Sequence, residues 1–142
     1  FTNGCFDILH ASHVRNLEEA KSYGDILIVG INSDRSTVAL KGKGRPINSQ
    51  LDRAIIIAGL KAVDYVVIFD QDTPYELIKT IKPRTLVKGG DYKGKKVAGE
   101  DIVDELILVN FINGRSTTLT IEKIQKGKYL WSQLFRTNLM ST

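Results

Sequence analysis

Four apolar runs separated by helix-patterned stretches leave few folds open to this chain. Residues 25–32, 64–69, 85–88 and 106–110 are almost continuously hydrophobic, and the first ends in polar Asn32. Runs of that kind, with no regular polar alternation, belong to parallel strands buried on both faces. Between them, residues 14–23, 49–60 and 74–81 repeat their apolar positions at helical spacing. Ser49 and Thr73 are placed as helix N-caps, with Pro74 at a first helical position, and Ser116 or Thr117 caps a last helix through Ile121, Ile124 and Gln125. Strand and helix in alternation predict a doubly wound α/β fold, Rossmann-like, with helices on both faces of a parallel sheet.

At 142 residues the chain has room for one such domain, expected over residues 1–126. Residues 127–142 behave as a C-terminal helical tail, with Tyr129, Leu130, Trp131, Leu134, Phe135, Leu139 and Met140 near helical spacing. That stripe needs a partner, either the chain's own core or a neighbouring subunit, and both readings stay open. The first residue is Phe1 rather than Met, which leaves room for a preceding strand or a whole upstream domain. One cysteine, Cys5, rules out an internal disulfide and a multi-thiolate metal site. With no signal peptide and no membrane-length apolar run, the cytoplasm is the expected compartment. The net charge of +4 comes from clusters such as Lys41, Lys43 and Arg45, which alternate with glycine and lack interleaved aromatics. They suit a phosphate-gripping loop rather than a nucleic-acid surface.

The segment Thr2-Asn3-Gly4-Cys5-Phe6-Asp7-Ile8-Leu9-His10-Ala11-Ser12-His13 carries the chemistry. Its two histidines, three apart at the start of a helix pattern, share a helix face. Free backbone amides and the positive end of the helix dipole make that place an anion site. Three further motifs, Asn32 to Asp34, Lys88 to Tyr92 and Gly114 to Thr118, also follow apolar runs. In a doubly wound sheet they converge on one edge, the edge where such folds bind ligands.

These segments resemble the nucleotide-binding signature of the cytidylyltransferase-like nucleotidyltransferases, whose motif usually ends His-x-Gly-His. The opening looks most like the D-glycero-β-D-manno-heptose 1-phosphate adenylyltransferases, and the similarity runs from about Phe1 to Gln125. In the related glycerol-3-phosphate cytidylyltransferases the stretch before the last helix tends to read RTxGIST. Here Phe111 replaces the arginine and Arg115 the isoleucine, which favours the heptose type.

The resemblance implies attack by a sugar 1-phosphate oxygen on the α-phosphorus of ATP, with release of pyrophosphate, for lipopolysaccharide core biosynthesis. It makes His10, His13, Lys41 and Arg53 the catalytic residues, the histidines at the α-phosphorus and Arg53 at the β- and γ-phosphates. Lys43 and Arg45 share the loop of Lys41 and its chemistry. Asn3, Gly4, Cys5, Phe6, Lys88, Gly89, Asp91, Gly114, Arg115, Ser116, Thr117 and Thr118 bind the nucleotide, and Asp7 holds the turn or sits near the metal–triphosphate complex. No protein metal site is expected; Mg²⁺ arrives with ATP. Implied partners are ATP, a sugar 1-phosphate and a second copy in a homodimer or higher oligomer, with a sugar kinase domain fused or separate. Ser12 departs from the usual glycine, and it motivates a different reading, a nucleotide-binding module with weakened catalysis. A cytidylyltransferase for glycerol 3-phosphate or another small phosphate is the remaining alternative.

Overall fold

The structure, a computed structural model, describes residues 1–89, 92–109 and 116–138, with side chains as far as residue 127. Its elements run β1 (Thr2–Gly4), α1 (Ala11–Lys21), β2 (Ile28–Asn32), α2 (Asp34–Lys41), α3 (Gln50–Ala58), β3 (Tyr65–Phe69), α4 (Tyr75–Ile81), β4 (Thr85–Gly89), β5 (Glu105–Val109) and α5 (Thr117–Asn138). Strands β1, β2 and β3 pair in parallel, as do β4 and β5. Phe1 joins the two groups: its main-chain nitrogen donates to the Thr85 carbonyl and its own carbonyl accepts from Val87 N–H, each at 2.8 Å. Read across, the order is β3-β2-β1-β4-β5. Connections leave β1 in one direction and β4 in the other, so the crevice between their carboxyl ends is the switch point where ligands bind in such sheets.

Both faces of the sheet are covered. Val29, Ile31, Val87 and Val109 pack with Leu17 and Ala20 of α1 and Ile57 of α3. On the other side Leu86 packs with Ile78 of α4, Phe1 and Val97. Adjacent Leu86 and Val87 thus serve opposite faces, as strand geometry demands. This two-sided burial is why the runs lack polar alternation, and the doubly wound fold read from them is the fold observed. Gly30 lies in the middle of β2, where an added Cβ would stand 2.9 Å from the Phe1 ring and 3.2 Å from Asn3 Cβ.

The structure departs from or extends the local reading at four points. The signature motif does not merely follow a strand, since Thr2–Gly4 is itself β1. Helix α2 went unassigned from sequence; it is capped by Ser33, whose hydroxyl accepts from Ser36 N–H at 3.1 Å. Thr73 caps nothing: Pro74 takes the N-cap place of α4 and accepts from Ile78 N–H at 2.9 Å. A helix that begins at Tyr75 leaves Thr73 one residue too early to reach its amides. Finally, α5 runs unbroken across residue 127, so the tail is a continuation of the helix that starts at Thr117. The side chains of its apolar stripe from Tyr129 onward, and residues 139–142 entirely, lie outside the described residues. Ser49 and Ser116 do cap as anticipated, accepting from Asp52 N–H at 3.2 Å and Leu119 N–H at 3.1 Å.

Gly30→Ala tests how tightly β1 is held on β2. The variant is expected to lose about 2 kcal/mol of stability from overpacking, read as a lowered urea midpoint at unchanged m-value.

Candidate active site

The carboxyl ends of β1 and β4 open into a cleft of about 600 Å³. The turn after β1 forms its floor. Phe6 takes a left-handed conformation, φ 48°, which is uncommon for a bulky residue and marks a constrained turn. Its ring lies so close that a Cβ on Gly4 would stand 3.1 Å from it, which explains the glycine. The same ring meets His13 edge-on at 5.3 Å between centroids. His10 is the N-cap residue of α1 without a side-chain capping bond, and its imidazole stacks on His13 at 3.8 Å between centroids.

His13 is poised as a neutral donor. Burial, and then the neighbouring His10, push the His13 pKa down to about 4. Its Nδ1 is buried and has no hydrogen-bond partner among the described residues. An anion at the helix N-terminus would act in the opposite sense, because it favours the charged imidazolium.

The other walls bring cations and hydroxyls. Lys88, at the end of β4, is 5% exposed; it hydrogen-bonds the Asn3 side chain and lies 5.0 Å from the centre of the Tyr92 ring. Lys41 ends α2, and Ser116, Thr117 and Thr118 open α5. Thr117 Oγ1 donates to the Ile8 carbonyl at 3.4 Å, tying α5 to the signature segment. Of the residues singled out by sequence, Asn3, Gly4, Cys5, Phe6, His10, His13, Lys41, Lys88, Gly89, Ser116, Thr117 and Thr118 all line this one cleft. Asp91, Gly114 and Arg115 lie outside the described residues.

The cytidylyltransferase-like family model matches residues 1–142. The chain belongs to the cytidylyltransferase-like family. Among its relatives are proteins named bifunctional protein HldE. That of Aliarcobacter butzleri is 66% identical over 128 residues, covering 90% of this chain and 27% of the relative. That of Wolinella succinogenes is 63% identical over 125 residues, covering 88% of this chain and 26% of the relative. The chain therefore spans about a quarter of the length of these curated relatives. A solved structure titled as the lipopolysaccharide core biosynthesis protein from Thermoplasma volcanium GSS1 superposes with a TM-score of 0.68 at 29% identity, covering 79% of this chain and 95% of that one.

Within this family member, Arg53 stands apart from the other expected residues. It is 0% exposed and absent from the cleft wall. Its guanidinium donates to Asn48 O at 3.1 Å, Cys5 O at 2.5 Å and Asp34 Oδ1 at 2.8 Å. The side chain so held is a brace between the signature turn, α2 and the loop before α3. Arg45 does reach the cleft wall, where its Nε donates to Asp7 at 2.6 Å. Asp7, 2% exposed, also accepts from the amides of Ile47 at 2.8 Å and Asn48 at 3.0 Å. Burial alone would raise its pKa; the Asn48 and Ile47 amides and the Arg45 guanidinium outweigh it and hold the carboxyl below its ordinary value. Of the two roles considered for Asp7, this geometry is that of holding the turn. Lys43 is exposed and does not line the cleft.

Asp72, Thr73 and Pro74 also line the cleft, from the segment after β3, although the sequence marked Thr73 and Pro74 only as a helix start and Asp72 not at all. The signal was available: the other motifs lie just past strand ends, and so do these. Asn16, one helical turn beyond His13 on α1, also lines it and carried no distinguishing signal.

Two measurements probe this arrangement. The folded pKa of His13 lies below its unfolded value near 6.5, so its contribution to stability is complete above that pH and is lost as pH falls towards 4. The melting temperature of the wild type should therefore fall more steeply between those limits than that of His13→Gln, followed by circular dichroism. Asp7→Asn should cost about 3 kcal/mol in urea unfolding at neutral pH, because it leaves Arg45 half-buried without its carboxylate.

Proposed function

We propose that this chain is a nucleotidyltransferase that moves the adenylyl group of ATP to D-glycero-β-D-manno-heptose 1-phosphate, giving ADP-heptose and pyrophosphate. The observation that carries this reading is the stacked His10–His13 pair at the N-terminus of α1, set in the switch-point cleft beside Lys88. Membership of the cytidylyltransferase-like family supports the reaction type. The heptose rests on the resemblance of the opening motif, on the HldE relatives and on the lipopolysaccharide core title of the structural neighbour.

In this proposal an oxygen of the sugar phosphate attacks the α-phosphorus in line. The Pα–O bond to the β-phosphate breaks, and its electron pair leaves on pyrophosphate. Negative charge grows on the non-bridging oxygens and on the leaving group, so catalysis consists of positioning and charge neutralisation. His10 and His13 donate hydrogen bonds at the α-phosphate, together with the amides of the α1 N-terminus. Lys88 and Lys41 neutralise the phosphates from the opposite wall. Asn3, Gly4, Cys5 and Phe6, with Gly89 and the α5 hydroxyls, shape the nucleotide pocket. Arg53 acts at one remove, by fixing the turn that carries Cys5.

The cleft offers nitrogen donors and hydroxyls, and among the described residues no three His, Cys, Asp or Glu side chains gather into a metal cage. That donor set suits phosphate oxygens. In this reading Mg²⁺ would arrive with ATP and would supply charge neutralisation at the triphosphate, beside Lys41, Lys88 and the two histidines. The relatives are named bifunctional and are about four times as long as the matched part. We place their second activity outside the region matched here, and a sugar kinase would supply the phosphorylated acceptor. Among the described residues no helix is long and apolar enough to cross a membrane.

The decisive assay is pyrophosphate release with ATP and Mg²⁺, with and without the heptose 1-phosphate. Release should depend on the sugar phosphate, and His10→Ala and His13→Ala should each lower kcat about 10²- to 10³-fold. Turnover with CTP and glycerol 3-phosphate instead would replace the substrate assignment. Tight ATP binding without turnover on any acceptor would favour the binding-module reading.

A further inference from the structure

We propose that Ser12 is a phosphate-binding residue of this chain, donating its hydroxyl hydrogen to an oxygen of the bound triphosphate; this rests on the adenylyl-transfer reading above. Ser12 is the second residue of α1 and lies in the cleft wall between the two histidines. It is 2% exposed, and its Oγ is buried with no hydrogen-bond partner among the described residues. Buried hydroxyls in native proteins almost always have a partner. One left alone in the wall of a ligand cleft is held for something that enters the cleft.

The neighbouring hydroxyls make the contrast. Ser116 Oγ is used as a cap by Leu119 N–H, and Thr117 Oγ1 donates to the Ile8 carbonyl. Ser33 and Ser49, at the starts of α2 and α3, are likewise engaged with amides of their own helices. Ser12 sits one position inside its helix rather than at the cap, where His10 makes no side-chain capping bond. Its hydroxyl thus shares the helix end with free donors and with the positive pole of the dipole, where an anion is the favoured guest. A phosphate oxygen can only accept, and the hydroxyl supplies the matching proton. The glycine usual at this place in the motif has no such donor. Serine therefore adds a contact to the triphosphate in this chain, in place of the weakened catalysis that the departure first suggested.

The test compares wild type, Ser12→Ala and Ser12→Gly by isothermal titration with the unreactive analogue α,β-methylene-ATP plus Mg²⁺, and with adenosine as a phosphate-free probe. Loss of one hydrogen bond to a charged group predicts about tenfold weaker analogue binding in both variants. Adenosine affinity should stay unchanged, and the free variants should melt no lower than wild type because an unsatisfied hydroxyl has been removed. In turnover the loss should appear in KM for ATP more than in kcat. Unchanged analogue binding would overturn the proposal. So would an equal loss for adenosine, which would mean a general change in the pocket, or recovery of wild-type affinity in Ser12→Gly alone, which would mean crowding by Cβ. If wild type bound no analogue, the adenylyl-transfer reading would fall with it. Binding without heptose-dependent turnover would remove the substrate assignment and leave the Ser12 result to stand by itself.

Discussion

A guanidinium with no exposed surface has to find its acceptors inside the protein, and Arg53 finds them in three separate segments. Cys5 belongs to the turn after β1, Asp34 to the first turn of α2, and Asn48 to the loop before α3. The planar fork of arginine, with donors fixed in direction, imposes a relative geometry that a lysine could not. The cleft floor, the end of α2 with Lys41 and the basic loop are thereby registered against one another. Much of the cleft depends on a residue that does not line it.

The sheet provides the complementary constraint. Because Phe1 bonds to both Thr85 and Val87, β1 lies directly against β4, and the two connections diverge there. Asn3 and Lys88 consequently face each other across the crevice, near enough to hydrogen-bond. The histidines arrive from the next element, α1, and the hydroxyls of Ser116 and Thr117 from α5, which is tied back to Ile8. Residues more than a hundred positions apart in sequence meet because one sheet edge collects every strand end.

What could be read from sequence follows from how local each signal is. Strands β2 to β5 were legible because burial on both faces demands continuous apolar runs, and Ser49 and Ser116 were legible because capping needs only a neighbouring amide. Strand β1 was obscured, since Thr2, Asn3 and Gly4 are half-buried polar or small residues that read as a turn. Helix α2 was obscured because it buries Ser36 and Thr37 rather than an apolar stripe. The motif residues were found by their types and order, and most of them do converge. The direction of a side chain is another matter. Nothing in the sequence distinguishes an arginine pointing into a cleft from one pointing under it, so Arg53, expected at the phosphates, lies beneath the turn, while Arg45 of the basic loop does reach the cleft wall.

The grip of Asp7 on Arg45, Ile47 and Asn48 has a consequence for Lys43. Lys41 ends a helix and Arg45 is bonded to the carboxylate, which leaves three residues between the two anchors. Two of these, Gly42 and Gly44, adopt φ of 91° and 87° with open space around them. A three-residue tether reaches about 10 Å at full stretch. Lys43 is therefore an exposed cation on a short span held at both ends, so its reach is set by its two anchored neighbours.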